Sequence, residues 1–168
     1  MVQNKAAAAI RANPGKSATA AGLAAALALA TPLVVKWEGI RNDPYNDIVG
    51  VRTVCVGETN VAMRRYSTPE CLAMLNKALT NRYAADVARC TPIIADKPYL
   101  FAAAISLSYN IGTAAYCRST VARRFNAGDF VGACNGFLSW SYAGGRQVQG
   151  LLNRRRDERK LCLQEAGQ

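Results

Sequence analysis

The chain contains no histidine. Histidine-based triads, histidine metal sites and histidine general bases are therefore excluded. Catalysis near neutral pH is left to carboxylates, thiols, lysine or tyrosine. Acidic side chains are also scarce. Eleven Asp and Glu stand against 21 Lys and Arg, giving a net charge of +10. A balance of that sign draws a protein toward polyanions: nucleic acid, anionic lipid or an acidic envelope polymer. There is no CxxC pair, no internal repeat and no long linker. A length of 168 residues suits one domain able to bury a core of its own.

Much of the positive charge is concentrated in Arg154, Arg155, Arg156, Arg159 and Lys160, interrupted by Asp157 and Glu158. This run reads as a solvated helix face with i,i+4 pairs such as Arg154 with Glu158. A dedicated polyanion patch is the alternative.

Six cysteines are present: Cys55, Cys71, Cys90, Cys117, Cys134 and Cys162. An even number, widely spaced and without histidine, argues for disulfides over zinc. Disulfides persist outside the cytosol. Six free buried thiols are the other reading, and spacing alone fixes no pairing.

The N-terminal region points to export as well. Ser17 to Val35 is a run of 19 residues without charge, eight of them alanine. Its length matches a bilayer, although alanine contributes little to insertion and Gly22, Thr19, Thr31 and Pro32 subtract from it. Lys5, Arg11 and Lys16 precede it, so the positive-inside rule keeps that end cytoplasmic. Three readings stay open: an uncleaved signal anchor, a signal peptide cleaved at Ala28-Leu29-Ala30, and an alanine-rich soluble helix. Thr31-Pro32 has the form of a helix start, which makes Glu38 the end of a short helix before Gly39.

Beyond it, turn signals at Asn42-Asp43-Pro44 and Val49-Gly50 punctuate Tyr45, Ile48, Val51, Thr53, Val54 and Val56. They predict a small antiparallel hairpin or three-stranded sheet reaching to Tyr66. Helices follow. Ser67-Thr68-Pro69-Glu70 is a capping box with proline at the start, and Thr91-Pro92 ends that segment. Lys97 to Ile111 is apolar nearly all round, the pattern of a buried central helix. Shorter helices are expected at 118–126, 129–140 and 150–163, with a loop at Tyr142-Ala143-Gly144-Gly145. The fold class is α+β: one hairpin unit, then a helical lobe.

Glu38, Asp47 and Thr53 form the candidate catalytic set. Glycosidic cleavage needs an acid for the leaving oxygen and a carboxylate for the water or the oxocarbenium-like transition state. Glu38 sits beside Trp37 among apolar neighbours, where partial burial favours a retained proton. Asp47 sits in a polar turn rich in donors and is expected to stay ionised. Thr53 offers a hydroxyl that could hold a water beside Asp47. Spacing alone says little, because many chains contain a Glu-x8-Asp.

The surrounding residues say more. Trp37-Glu38-Gly39, Pro44-Tyr45-Asn46-Asp47, Gly50 and Thr53-Val54-Cys55-Val56-Gly57 closely resemble the phage-type lysozymes, glycoside hydrolase family 24. Tyr109-Asn110-Ile111-Gly112 and Trp140-Ser141-Tyr142-Ala143-Gly144-Gly145-Arg146 extend the match over about residues 31 to 163. The signal-anchor-release endolysins of lambdoid phages are most similar. The resemblance implies a lysozyme-like fold and a muramidase that cleaves the β-1,4 bond between N-acetylmuramic acid and N-acetylglucosamine in peptidoglycan. Glu38 would be the general acid. Asp47 and Thr53 would orient water, with inversion. It also implies residues 1–35 as an anchor segment and 31–168 as the catalytic domain. The protein would insert in the host inner membrane with its N-terminus inside, then act in the periplasm as a monomer without cofactor, metal or nucleic acid. The cysteines would pair in sequence order, Cys55–Cys71, Cys90–Cys117 and Cys134–Cys162. None lies in the anchor, so activation is expected to be conformational. The chain departs from many relatives at Glu58, where they carry histidine; this carboxylate could partner a nearby Arg or Lys, or influence the titration of Glu38, and no catalytic step is assigned to it. A lytic transglycosylase, a secreted lysozyme with a cleaved signal and a non-enzymatic basic envelope protein are the alternatives.

Overall fold

The computed structural model describes residues 19–47 and 49–167. The basic residues Lys5, Arg11 and Lys16, and Ile48 of the hairpin, lie outside the described residues.

The first helix, α1, runs from Ala20 to Glu38 without a break. The expected start at Thr31-Pro32 is thus corrected. Thr19 is the N-cap, its side chain accepting from the Gly22 N–H at 3.0 Å. Proline is tolerated at position 32 because the carbonyl it leaves unpaired belongs to Ala28, and both residues face solvent. Thr31 turns its hydroxyl outward to Asn76 Oδ1 at 2.7 Å. Gly39, at φ +73°, ends the helix and donates to the Val35 carbonyl.

Alanine monotony hides two faces in α1. Ala26, Ala30 and Val34 recur every four residues and are fully buried. Ala21, Ala24, Ala25 and Ala28 line an exposed stripe. The small buried side chains let α1 approach α4 (Pro98–Ile111), its principal neighbour. Helix α4 is the core of the lobe: Leu100 through Ser108 is buried on every side.

Strands β1 (Arg41–Asn46) and β2 (Arg52–Cys55) form an antiparallel hairpin directly after Gly39. Its pairing is irregular between Arg41 and Tyr45, where Pro44 has no N–H to contribute. No third strand joins it among the described residues. Instead Glu58 pairs with Val54, and Tyr66 returns to the β1 edge. There its N–H donates to the Asn42 carbonyl at 2.9 Å, and its carbonyl accepts from Asn42 Nδ2 at 2.9 Å.

Helices α2 (Thr68–Ala78) and α3 (Ala85–Cys90) are joined through a π-helical turn, Leu79–Ala84. The capping box forms as expected: Ser67 N–H donates to Glu70 Oε2 at 2.7 Å, and Ser67 Oγ accepts from the Glu70 N–H. The Arg64 guanidinium, followed by the Ser67 N–H and hydroxyl, holds the Glu70 carboxyl down to about 2. Its stabilising effect is therefore complete above the ordinary carboxylate range and lost as pH falls toward about 2. Glu70→Gln is expected to lower the melting temperature at pH 6 and to match the parent near the acid end of that window. Thermal melts across pH check this; a difference independent of pH would refute it.

The remaining elements are α5 (Thr113–Arg118), α6 (Thr120–Asn126), α7 (Phe130–Gly136), a 3-10 turn at Phe137–Trp140, and α8 (Gln149–Ala166). The Tyr142–Gly145 stretch expected as a loop instead supplies strand β3 (Tyr142–Ala143) and the Gly144-Gly145 turn of a second hairpin, with β4 (Arg146–Gln147). Three disulfides pair Cys55–Cys71, Cys90–Cys117 and Cys134–Cys162, with Cα separations of 5.0, 5.4 and 5.6 Å. The first fastens the hairpin to α2, the second α3 to α5, and the third α7 to α8.

Candidate active site

Glu38 ends α1, and the two-residue link Gly39-Ile40 places β1 immediately beyond it. The carboxylate thus stands where the helical lobe meets the hairpin. Its side chain is 30% exposed, and Oε1 accepts from Arg154 Nη1 at 2.5 Å.

The Arg154–Glu158 pair exists, but the solvated face read from the sequence is corrected. Arg154 is 4% exposed, and Arg155 and Glu158 are both fully buried. Leu151, Arg155, Glu158, Cys162 and Ala166 fall on one side of α8, and Cys162 is tied inward to Cys134. That apolar spacing was the available signal, and the density of charge masked it. Arg154 Nε lies 3.2 Å from Glu158 Oε1, and Ser106 Oγ of α4 donates to the same oxygen at 2.7 Å.

Asp47 follows β1 and is tightly bonded. Its Oδ1 accepts from the Val49 and Val51 N–H groups at 2.9 and 2.8 Å, and its own N–H donates to the Val51 carbonyl at 2.9 Å. Thr53 lies opposite Tyr45 in the hairpin, 4% exposed, and donates its hydroxyl to the same Val51 carbonyl at 2.9 Å. One peptide group therefore couples Asp47 and Thr53. This role of Val51 is invisible to motif reading because it is carried by backbone. Donating the hydroxyl proton to Val51 leaves the Thr53 oxygen as an acceptor, so a water held there would donate to it.

Tyr109, on α4, joins lobe to hairpin by donating to the Val56 carbonyl at 2.6 Å. Its ring packs on Tyr83 with centroids 4.8 Å apart. Burial, and then the neighbouring Glu38 charge, push the phenol well above its usual range. Glu58 contributes to the same effect and is half-buried. Of the two readings of Glu58, the Arg or Lys partner is not found: among the described residues Glu58 makes no ion pair. Its backbone pairs with Val54 instead. Among the described residues no group of three Cys, Asp or Glu side chains is placed to hold a metal ion.

A glutamate at the end of a helix, facing a two-stranded hairpin and backed by a helical lobe, defines a lysozyme-like fold. The phage lysozyme family model matches residues 35–158. The SAR-endolysin of Enterobacteria phage P21 is 45% identical over 132 residues, 75% of this chain and 77% of the relative. Among solved structures, a P22 lysozyme mutant superposes with a TM-score of 0.68 at 26% identity, covering 88% of this chain and 98% of that one. The muramidase domain of SpmX from Asticaccaulis excentricus gives 0.70 at 24% identity, over 88% and 97% of the two chains, and shares the fold. The chain belongs to the phage lysozyme family. It is a glycoside hydrolase of the lysozyme type.

Proposed function

We propose that this chain is a phage endolysin that hydrolyses the β-1,4 bond between N-acetylmuramic acid and N-acetylglucosamine in peptidoglycan. Glu38 protonates the leaving oxygen. Asp47 and Thr53 orient the attacking water, and the reaction inverts the anomeric carbon. One observation carries this reading: Glu38 ends a helix at the root of a hairpin in which the Val51 carbonyl accepts from both the Asp47 N–H and the Thr53 hydroxyl. Glu38 is partly open to solvent, and the Thr53 hydroxyl is directed by the Val51 carbonyl.

Helix α1 supports the second half of the proposal. It is long and apolar enough to cross a membrane, and it is the helix that ends in Glu38. While α1 lies in the inner membrane, N-terminus inside, the enzyme is off. On release to the periplasm, Ala26, Ala30 and Val34 dock against α4 and bring Glu38 to the hairpin. A helix cannot meet lipid and α4 with the same face at once.

Product analysis tests the chemistry. Digested peptidoglycan is expected to yield free reducing N-acetylmuramic acid ends, with an α anomer as first product. Predominantly 1,6-anhydro ends would make the enzyme a transglycosylase. Full activity of Asp47→Ala would remove that residue from the mechanism.

A further inference from the structure

We propose that Glu158 is a positioning residue for Glu38: by sharing Arg154 with it, Glu158 supplies the buried countercharge that lets Glu38 serve as a proton donor. The inference rests on Glu38 being the acid.

The difficulty it resolves is electrostatic. An arginine held against a carboxylate favours the ionised form, yet a general acid must carry its proton before the bond breaks. Arg154 is almost wholly buried, with Nη1 on Glu38. Its other corners are anchored inward, Nε to Glu158 Oε1 at 3.2 Å and Nη2 to the Ser106 carbonyl at 3.5 Å. The same Glu158 oxygen accepts from Ser106 Oγ at 2.7 Å and from Arg155 Nη2 at 3.0 Å. One carboxylate thus gathers two guanidinium groups and the hydroxyl of the central helix.

Charge counting follows from this cluster. With both carboxylates ionised, Arg154, Arg155, Glu38 and Glu158 sum to zero. Protonating Glu38 leaves a single positive charge. Without Glu158, protonated Glu38 would face two uncompensated buried cations, an arrangement of high cost. Glu158 thereby removes much of the penalty on the protonated acid.

The cluster is also held under electrostatic tension. Arg155 Nε is 2.8 Å from Glu158 Oε2 yet out of line for a hydrogen bond, and Arg155 Nη1 has no hydrogen-bond partner among the described residues. Burial pushes the Glu158 carboxyl up, opposed by Arg155, Ser106 and Arg154. Burial likewise lowers the Arg155 guanidinium, opposed by Glu158. Among the described residues, Tyr109 on α4 also interacts with Glu38, and Tyr83 and Glu58 act on that same phenol. On its own helix, Lys36 is spent in a surface pair with Asp157 at 2.7 Å.

The test is the pH dependence of kcat on purified peptidoglycan for the parent, Glu158→Gln and Ser106→Ala, with a melting temperature for each. The alkaline limb, where the acid loses its proton, is expected to move to lower pH by about one unit in Glu158→Gln. Ser106→Ala removes a donor that favours the ionised Glu158 carboxylate, so the countercharge weakens and the limb is expected to move the same way by less. Equal loss of rate at every pH, with the limb unmoved, would make the role purely structural and overturn the proposal. If Glu158→Gln does not fold, Ser106→Ala decides alone, since it deletes a single hydroxyl. Wild-type activity in Glu38→Gln would overturn the underlying assignment, an outcome distinct from an unmoved limb in an enzyme that Glu38→Gln inactivates.

Discussion

Glu38→Gln is expected to reduce turnover on purified peptidoglycan by about 10²–10⁴-fold, the usual contribution of a positioned general acid. The amide keeps the shape of the side chain and an oxygen to accept from Arg154 Nη1. It has no proton of suitable acidity to give the leaving group. Arg154 keeps its inner partner Glu158, so its charge is not stranded. Because Glu38 is partly exposed, the stability cost of losing its charge should stay near 1 kcal/mol or less. Turbidity clearing measures the rate, and circular dichroism melts show whether the fold survives. A folded variant retaining more than about a tenth of parental activity would remove Glu38 from the acid role, since even a modest acid contributes a hundredfold.

The spacing of Glu38, Asp47 and Thr53 alone carries little weight. Their surroundings made the family legible, and local chemistry made much of the fold legible too. The capping box at Ser67 and the nearly all-apolar stretch before Gly112 are readable because each is specified by a short run of adjacent residues. The cysteine pairing in sequence order followed the resemblance, and the structure brings each pair together.

What escaped reading depends on contacts between distant segments. Thr31-Pro32 has the local form of a helix start, but solvent around Ala28 and Pro32 makes an interior proline tolerable. Helix α5 is a single short stretch after Gly112, held by the Cys90–Cys117 disulfide and by Tyr116, whose hydroxyl meets Thr91 at 2.8 Å. The burial of Arg155 and Glu158 required knowing that Ser106 and Glu38 would stand beside them. At the site, chemistry-bearing side chains were readable. Val51, which links two of them through its peptide group, was not, because its contribution does not depend on its side chain.

The exposed alanines of α1 make the second large prediction. Ala21, Ala24, Ala25 and Ala28 form one stripe that touches solvent in the docked helix, whereas Ala26 and Ala30 are buried against the lobe. Leucine at any of these positions makes the segment more comfortable in a bilayer. Only leucine at the buried positions interferes with docking. Replacing all four exposed alanines by leucine is therefore expected to hold the protein in the membrane fraction and abolish lysis of expressing cells. The single substitution Ala28→Leu should leave purified enzyme within about 0.5 kcal/mol of parental stability. Ala30→Leu, by contrast, forces a larger side chain between α1 and α4 and should cost about 1–3 kcal/mol. It should also lower activity by displacing the helix that carries Glu38. Membrane fractionation, lysis curves and melts of the purified proteins separate these effects. A four-leucine variant that stays in the membrane and still lyses cells at the parental rate would break the link between release and activity. Equal destabilisation by Ala28→Leu and Ala30→Leu would mean that α1 does not dock by the face seen here. If the two results hold, a single run of alanines encodes both states of the enzyme: one face sets how firmly lipid retains the helix, and the other sets how well the released helix seats its catalytic acid.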